Sequence, residues 1–220
     1  DHLRQSIENV GWDTNSFGWA SVQLDGGIES VSKKVEHWFQ EKIEQKMPTQ
    51  VAEGYWPNLK IGLLSFGSMS EQSVISLIQL VQIAVQSGGT VVIPDNATFI
   101  QTEAFVELVD GQHDKKTLSY GECQIKPGLH IMDTQTGQAV ETLTGLGATG
   151  VDLVIAHVIN TPIQSHPIIP VLQFSSHPPT IEMCGSDLDF VDNDISFKQL
   201  LVLIQGVASR EYIPKLHSYG

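Results

Sequence analysis

The chain has 220 residues, with 12 basic against 25 acidic side chains and a formal net charge of −13 at neutral pH. That length fits one large α/β domain or a domain with an appendage, and 41% apolar content supplies a core and argues against a disordered chain. The charge balance repels phosphate backbones and anionic bilayers, so neither nucleic acid nor membrane is an expected partner.

Along the chain, residues 1–9 form a short polar stretch with Leu3 and Ile7 on one helical face. From 28 to 46 the residues Ile28, Val31, Val35, Trp38, Phe39 and Ile43 recur at helical spacing with Pro48 just beyond, which predicts an amphipathic helix whose charged side is solvated. Trp12, Trp19 and Trp38, together with this helix, are candidates for contacts in a homo-oligomer, with buried core as the plainer reading. A turn-rich link closes an amino-terminal segment, 1–57, ahead of an α/β domain, 58–220. Residues 60–66 read as a strand, 71–86 as a helix apolar on nearly all sides, and 89–94 as the next strand, a βαβ unit. The Ser and Gln residues of that helix are expected to mark its thin exposed stripe, and Ser68 or Ser70 to cap it. A helix over 101–109, a charged loop over 110–116, strands over 128–132, 151–157 and 168–174, a small-residue helix over 139–148 and an apolar helix over 197–209 complete the series. About five strands separated mostly by helices predict a largely parallel, doubly wound sheet of Rossmann-like or flavodoxin-like type with helices on both faces.

In such sheets ligands bind beyond the carboxyl ends of the strands. Those positions hold Ser65 to Ser70, Asp95 and Asn96, Asp133 and Thr134, His157 to Pro162, and Ser175 to His177. Asp95, Asp133, His157 and His177 offer carboxylate and imidazole groups for a metal or for acid and base work. The two aspartates also read as ordinary turn or cap residues, and His177, directly before Pro178, as a surface histidine in a loop. None of the eight histidines pairs with another at i, i+3 or i+4, so no helix-borne metal site is expected. The loop after the first strand lacks the glycine spacing and Lys of a phosphate loop, no G-x-G-x-x-G follows a strand, and no G-x-S-x-G is present. Cys123 and Cys184, far apart in sequence, give neither a disulfide framework nor a zinc site and point to a reducing, cytoplasmic setting. No run reaches the ~20 apolar residues of a membrane span, and the first residues lack the order of a secretion signal. The start at Asp1 rather than Met leads us to expect a longer parent chain.

Several segments carry a family resemblance. Gly88-Gly-Thr-Val-Val-Ile-Pro-Asp95, Pro127-Gly-Leu-His-Ile-Met-Asp-Thr134 and Glu141-Thr-Leu-Thr-Gly-Leu-Gly-Ala-Thr-Gly150 resemble the carboxy-terminal region of the altronate and galactarate dehydratases, with weaker likeness at Thr161-Pro162, Pro170 to Gln173 and Asp189 to Asn193. The resemblance implies a hydro-lyase of carbohydrate metabolism. In that chemistry an anionic aldonate or aldarate loses its α proton and its β-hydroxyl, giving a 2-keto-3-deoxy acid with help from Fe2+. It further implies Asp95 and Asp133 as ligands or base, His157 as acid, Ser65, Ser68, Thr134 and Thr161 as hydrogen-bonding groups toward substrate, and a small SAF-like domain upstream. The iron ligand set stays open, because the chain departs from the family at its polar loops: Ser65 stands for the family Cys, Met69 for a loop Asp, and Ile159 for an Arg between glycines. A hydroxyl is a poor substitute for a thiolate on iron, and the missing Arg removes a bidentate carboxylate clamp. Two classes of function follow, a lyase of this type and a catalytically silent relative acting as a binding or assembly module. A generic sugar- or acid-binding domain is a third.

Overall fold

The computed structural model describes residues 20–45, 59–110, 116–123, 126–191 and 194–219. The segment 1–9, Trp12, Trp19 and the link over 51–58 lie outside them. The chain divides into two units, 1–49 and 50–220. In the first, helix α1 (Ile28–Gln45) follows the periodicity read from sequence. Asp25 gathers its amino-terminal side, accepting the Ser21 N–H at 2.7 Å and the Lys34 ammonium at 2.9 Å, and this pairing lowers the Asp25 pKa. Glu29 and Lys33 pair at 2.9 Å with both side chains exposed, a contact of small energetic consequence.

The second unit is built on a six-stranded parallel sheet. Its elements are β1 (Lys60–Ser65), α2 (Glu71–Gln86), β2 (Thr90–Pro94), α3 (Glu103–Asp110), β3 (Lys116–Leu118), β4 (Gly128–Met132), α4 (Ala139–Ala148), β5 (Leu153–His157), β6 (Val171–Phe174), α5 (Pro178–Cys184) and α6 (Phe197–Ala208). The strands lie in the order β3-β4-β2-β1-β5-β6, all pairs parallel. The strands are continuous apolar runs because a parallel sheet is covered on both faces. Alternate residues divide between two cores. Ile61, Leu63, Leu153 and Ile155 pack with α2, α3 and α6, whereas Leu64, Val154 and Ala156 pack with α4 and the segment after β5. The chain steps from β1 to β2 in one direction and from β4 to β5 in the other, with α2 and α4 on opposite faces, as a single hand of crossover requires. The order therefore reverses at β1, and the topological switch point lies between β1 and β5.

Three differences from the sequence reading stand out. The sheet has six strands rather than five, because Lys116–Leu118 pairs with β4 at the edge. The His177-Pro-Pro segment, read as loop, opens α5, where proline suits the first helical positions. On α2 the exposed positions are Glu71, Gln72, Ile75, Gln79 and Gln86, while Ser73 and Ser76 are buried, so the expected glutamines mark the stripe and the serines do not. Ser70 caps α2, its hydroxyl accepting the Ser73 N–H at 3.2 Å, and α6 opens on a capping box of Ser196 and Gln199.

The burial of α2 gives a direct check. Leu80 is fully buried and Ile75 is 38% exposed on the same helix. Leu80→Ala is expected to cost about 2–5 kcal/mol and Ile75→Ala less than about 1 kcal/mol in denaturant unfolding, the buried change leaving a cavity.

Candidate functional site

Strand register brings the sequence-predicted residues to one edge of the sheet. Ser65 lies beside His157 across β1 and β5, and Pro94 beside Met132 across β2 and β4, so Asp95 and Asp133 leave adjacent strand ends. The edge reads Asp133, Asp95, Ser65, His157 in the spatial order of β4, β2, β1 and β5. It divides into a buried half and an exposed half.

At the switch point the groups are buried and bonded to one another. His157 has no exposed surface. Its Nδ1 lies 3.0 Å from the Phe66 carbonyl oxygen and its Nε2 is 3.2 Å from the Ser176 N–H and 3.0 Å from the Ser176 Oγ. A carbonyl only accepts and a backbone N–H only donates, so the bonding assigns the proton to Nδ1 and leaves Nε2 an acceptor. Ser176 Oγ in turn accepts the Ser70 N–H at 3.0 Å. The chain of bonds thus joins the ends of β1, β5 and β6 to the cap of α2. The ring also meets Phe174 edge-on, with centroids 5.3 Å apart. Burial pushes the His157 pKa down to about 4, only partly opposed by the bond to the Phe66 carbonyl, with nearby His177 lowering it further. Ser65 is equally enclosed: its Oγ accepts the Phe99 N–H at 2.9 Å, and the Thr98 hydroxyl stands 3.2 Å away while donating to the Gly67 carbonyl at 2.6 Å.

The loops above these residues close on each other. Gly67 has φ +62°, and a Cβ there would stand 2.4 Å from the Ile159 Cδ1, so Ile159 occupies the space over the β1 loop. Asn160 takes φ 67°, uncommon outside glycine, with its N–H on Thr180 Oγ1 at 2.9 Å. Thr180 Oγ1 also lies 3.0 Å from His177 Nδ1. Ser68 and Thr161 are exposed, one on each loop.

The other half faces solvent. Asp95 Oδ1 accepts both the N–H, at 3.0 Å, and the hydroxyl of Thr134. Asp133 is exposed beside them, its N–H on the Leu118 carbonyl at 2.8 Å. Asn96 donates to the Thr136 carbonyl at 2.8 Å and to Thr142 Oγ1 at 3.2 Å, tying β2 to the start of α4. Asp189, in the weakest of the resembling segments, is a structural hub. Its carboxylate accepts the Gln173 N–H, the Tyr212 hydroxyl and the Lys215 N–H at 2.7–2.8 Å, and burial with this carboxylate raises the Tyr212 pKa.

Of Ser175 to His177 at the end of β6, Ser176 rather than the expected His177 bonds the buried imidazole. A pair of serines directly after an apolar strand was the available signal. The polar groups at this edge bond to one another. Ser65 Oγ faces Phe99 and Thr98, His157 Nε2 faces Ser176, Asp95 Oδ1 is taken by Thr134, and among the described residues no group of three or more His, Cys, Asp or Glu is placed to hold a metal. Among the same residues no helix is long and apolar enough to cross a membrane. The chain matches no protein-family model, and no curated protein matches its sequence.

The histidine predicts a pH effect of known sign. An unfolded chain holds His157 near 6.5 and the folded one near 4, so between those values the unfolded state binds the extra proton. The contribution is full above about pH 6.5, falls as pH is lowered and levels off below about 4, a loss of ~3 kcal/mol. In urea unfolding across pH 4 to 7.5, His157→Gln is expected to remove that part of the slope while carboxylate effects remain in both proteins.

Proposed function

We propose that this chain is a catalytically silent domain of the sugar-acid dehydratase type, acting as a binding or assembly module. The observation that carries the reading is the state of His157. An acid that protonates a leaving hydroxyl must hold a proton at working pH and reach the substrate. Burial holds the His157 pKa down to about 4, so the ring is neutral at pH 7, and both ring nitrogens are engaged inside the protein. Ile159, packed over Gly67, supports the same reading, because an apolar side chain fills the space at the switch point where an incoming carboxylate would need donors.

An active lyase is the second reading. It is favoured by one arrangement: Asp95, Asp133 and Thr134 converge at adjacent strand ends with Asp133 exposed, as a base and its neighbours would be. One assay separates the two. The full chain, with added ferrous iron, is incubated with a panel of aldonates and aldarates, and 2-keto-3-deoxy acid is measured. No product above the no-protein control is expected. Product formation that disappears in Asp133→Asn would establish the lyase instead.

A further inference from the structure

One feature of the molecule lies apart from the His157 network. A cavity of about 550 Å³ opens beside α4, lined among the described residues by Tyr120, Gln135, Thr136 and Glu141. Its size falls within the ~300–1,000 Å³ of small-molecule sites. We propose that it binds a neutral polyhydroxylated ligand, a sugar or sugar alcohol, stacked on Tyr120.

Tyr120 is 43% exposed, yet its ring is fixed at two places. Its hydroxyl donates to the Glu141 carbonyl oxygen at 2.5 Å, and one edge of the ring is seated on Gly145, where a Cβ would stand 2.5 Å from Cε2. Any larger residue at 145 would displace the ring. An aromatic side chain that is both open to solvent and held in place provides a preorganised apolar surface, which binds the C–H side of a sugar with little loss of side-chain entropy. The remaining lining supplies hydroxyl partners. Glu141 offers a carboxylate acceptor, Gln135 an amide that donates and accepts, and Thr136 a hydroxyl whose oxygen already accepts the Gln138 N–H at 3.0 Å.

Charge selects among hydroxyl-rich ligands. The Glu141 carboxylate lies in the lining, in a chain of net charge −13, so an anionic acid meets a repulsion that its neutral counterpart does not. A neutral sugar donates its hydroxyls to Glu141 without that repulsion. The inference goes beyond the proposed silent domain and stands whether or not elimination occurs, because none of the four lining residues takes part in the His157 network.

The test is ligand-observed NMR followed by calorimetry on the full chain, with the common hexoses, pentoses and hexitols as neutral probes, gluconate and galactarate as anionic probes, and putrescine as a cationic one. Saturable binding of at least one neutral probe is expected, stronger than that of the anionic and cationic probes. Binding should weaken at least about tenfold in Tyr120→Ala and in Gly145→Val, and stay within about threefold in Tyr120→Phe, which keeps the ring. Circular dichroism and melting temperature verify folding, and Glu141→Ala gives a second surface variant if Gly145→Val unfolds. The proposal is overturned if no neutral probe binds, if gluconate, galactarate or putrescine binds more tightly, or if Tyr120→Ala leaves binding unchanged. Keto-acid production would overturn the silent reading without affecting this result, and failure of sugar binding would leave the silent reading standing.

Discussion

The hydrogen-bond chain from the Phe66 carbonyl through the His157 imidazole to Ser176 and the Ser70 amide sets the form of the sheet's carboxyl edge. A buried imidazole is costly unless both nitrogens are satisfied, and a neutral ring can satisfy one donor and one acceptor at once. Here the donor goes to the loop leaving β1 and the acceptor to the segment leaving β6, while β5 carries the ring itself. Three strand ends and the cap of the longest helix of the sheet unit are thereby held in one register. Removing the ring would leave a carbonyl and an N–H facing each other across an unfilled space, in a core where Phe174 packs edge-on against the imidazole.

That constraint explains why the same edge presents two different surfaces. Near β1 and β5 the polar groups are used up in holding the fold, and Ile159 covers the β1 loop through its contact with Gly67. Toward β2 and β4 the carboxylates of Asp95 and Asp133 remain at the surface, with Thr134 bonded to the first. Beyond them the loop before α4 continues to Gln135 and Thr136, which line the same cavity as Tyr120. Ser65 and His157 are therefore enclosed, whereas Asp95 and Asp133 remain reachable from solvent.

Much of this architecture was legible in the sequence. β4 and α4 fall at the expected bounds because Pro127 stands directly before the short apolar run of β4 and Gly150 follows closely on the end of α4. The cap at Ser70 and the strand ends carrying Ser65, Asp95, Asp133 and His157 were readable for the same reason. β3 was not, since Lys116, Thr117 and Leu118 become a strand only by pairing with β4, a long-range event without local signal. α5 was hidden by Pro178 and Pro179, which mark a loop as readily as a helix start. The roles of Ser65 and His157 depend on Phe99, Thr98 and Ser176, partners 19 to 34 residues away, and no spacing rule announces such contacts. What the polar residues at the strand ends touch was not legible.

The account rests on a neutral, Nδ1-protonated His157 locked between Phe66 and Ser176. Long-range nitrogen–proton correlation NMR on the histidine-labelled chain, followed through acid pH, reads that state directly. The expected spectrum shows the Nδ1–H tautomer at neutral pH and no protonation of this ring until pH approaches about 4. An Nε2–H tautomer, or a ring that titrates near 6.5 like an exposed histidine, would contradict the account and return His157 to the list of groups free to act on a ligand.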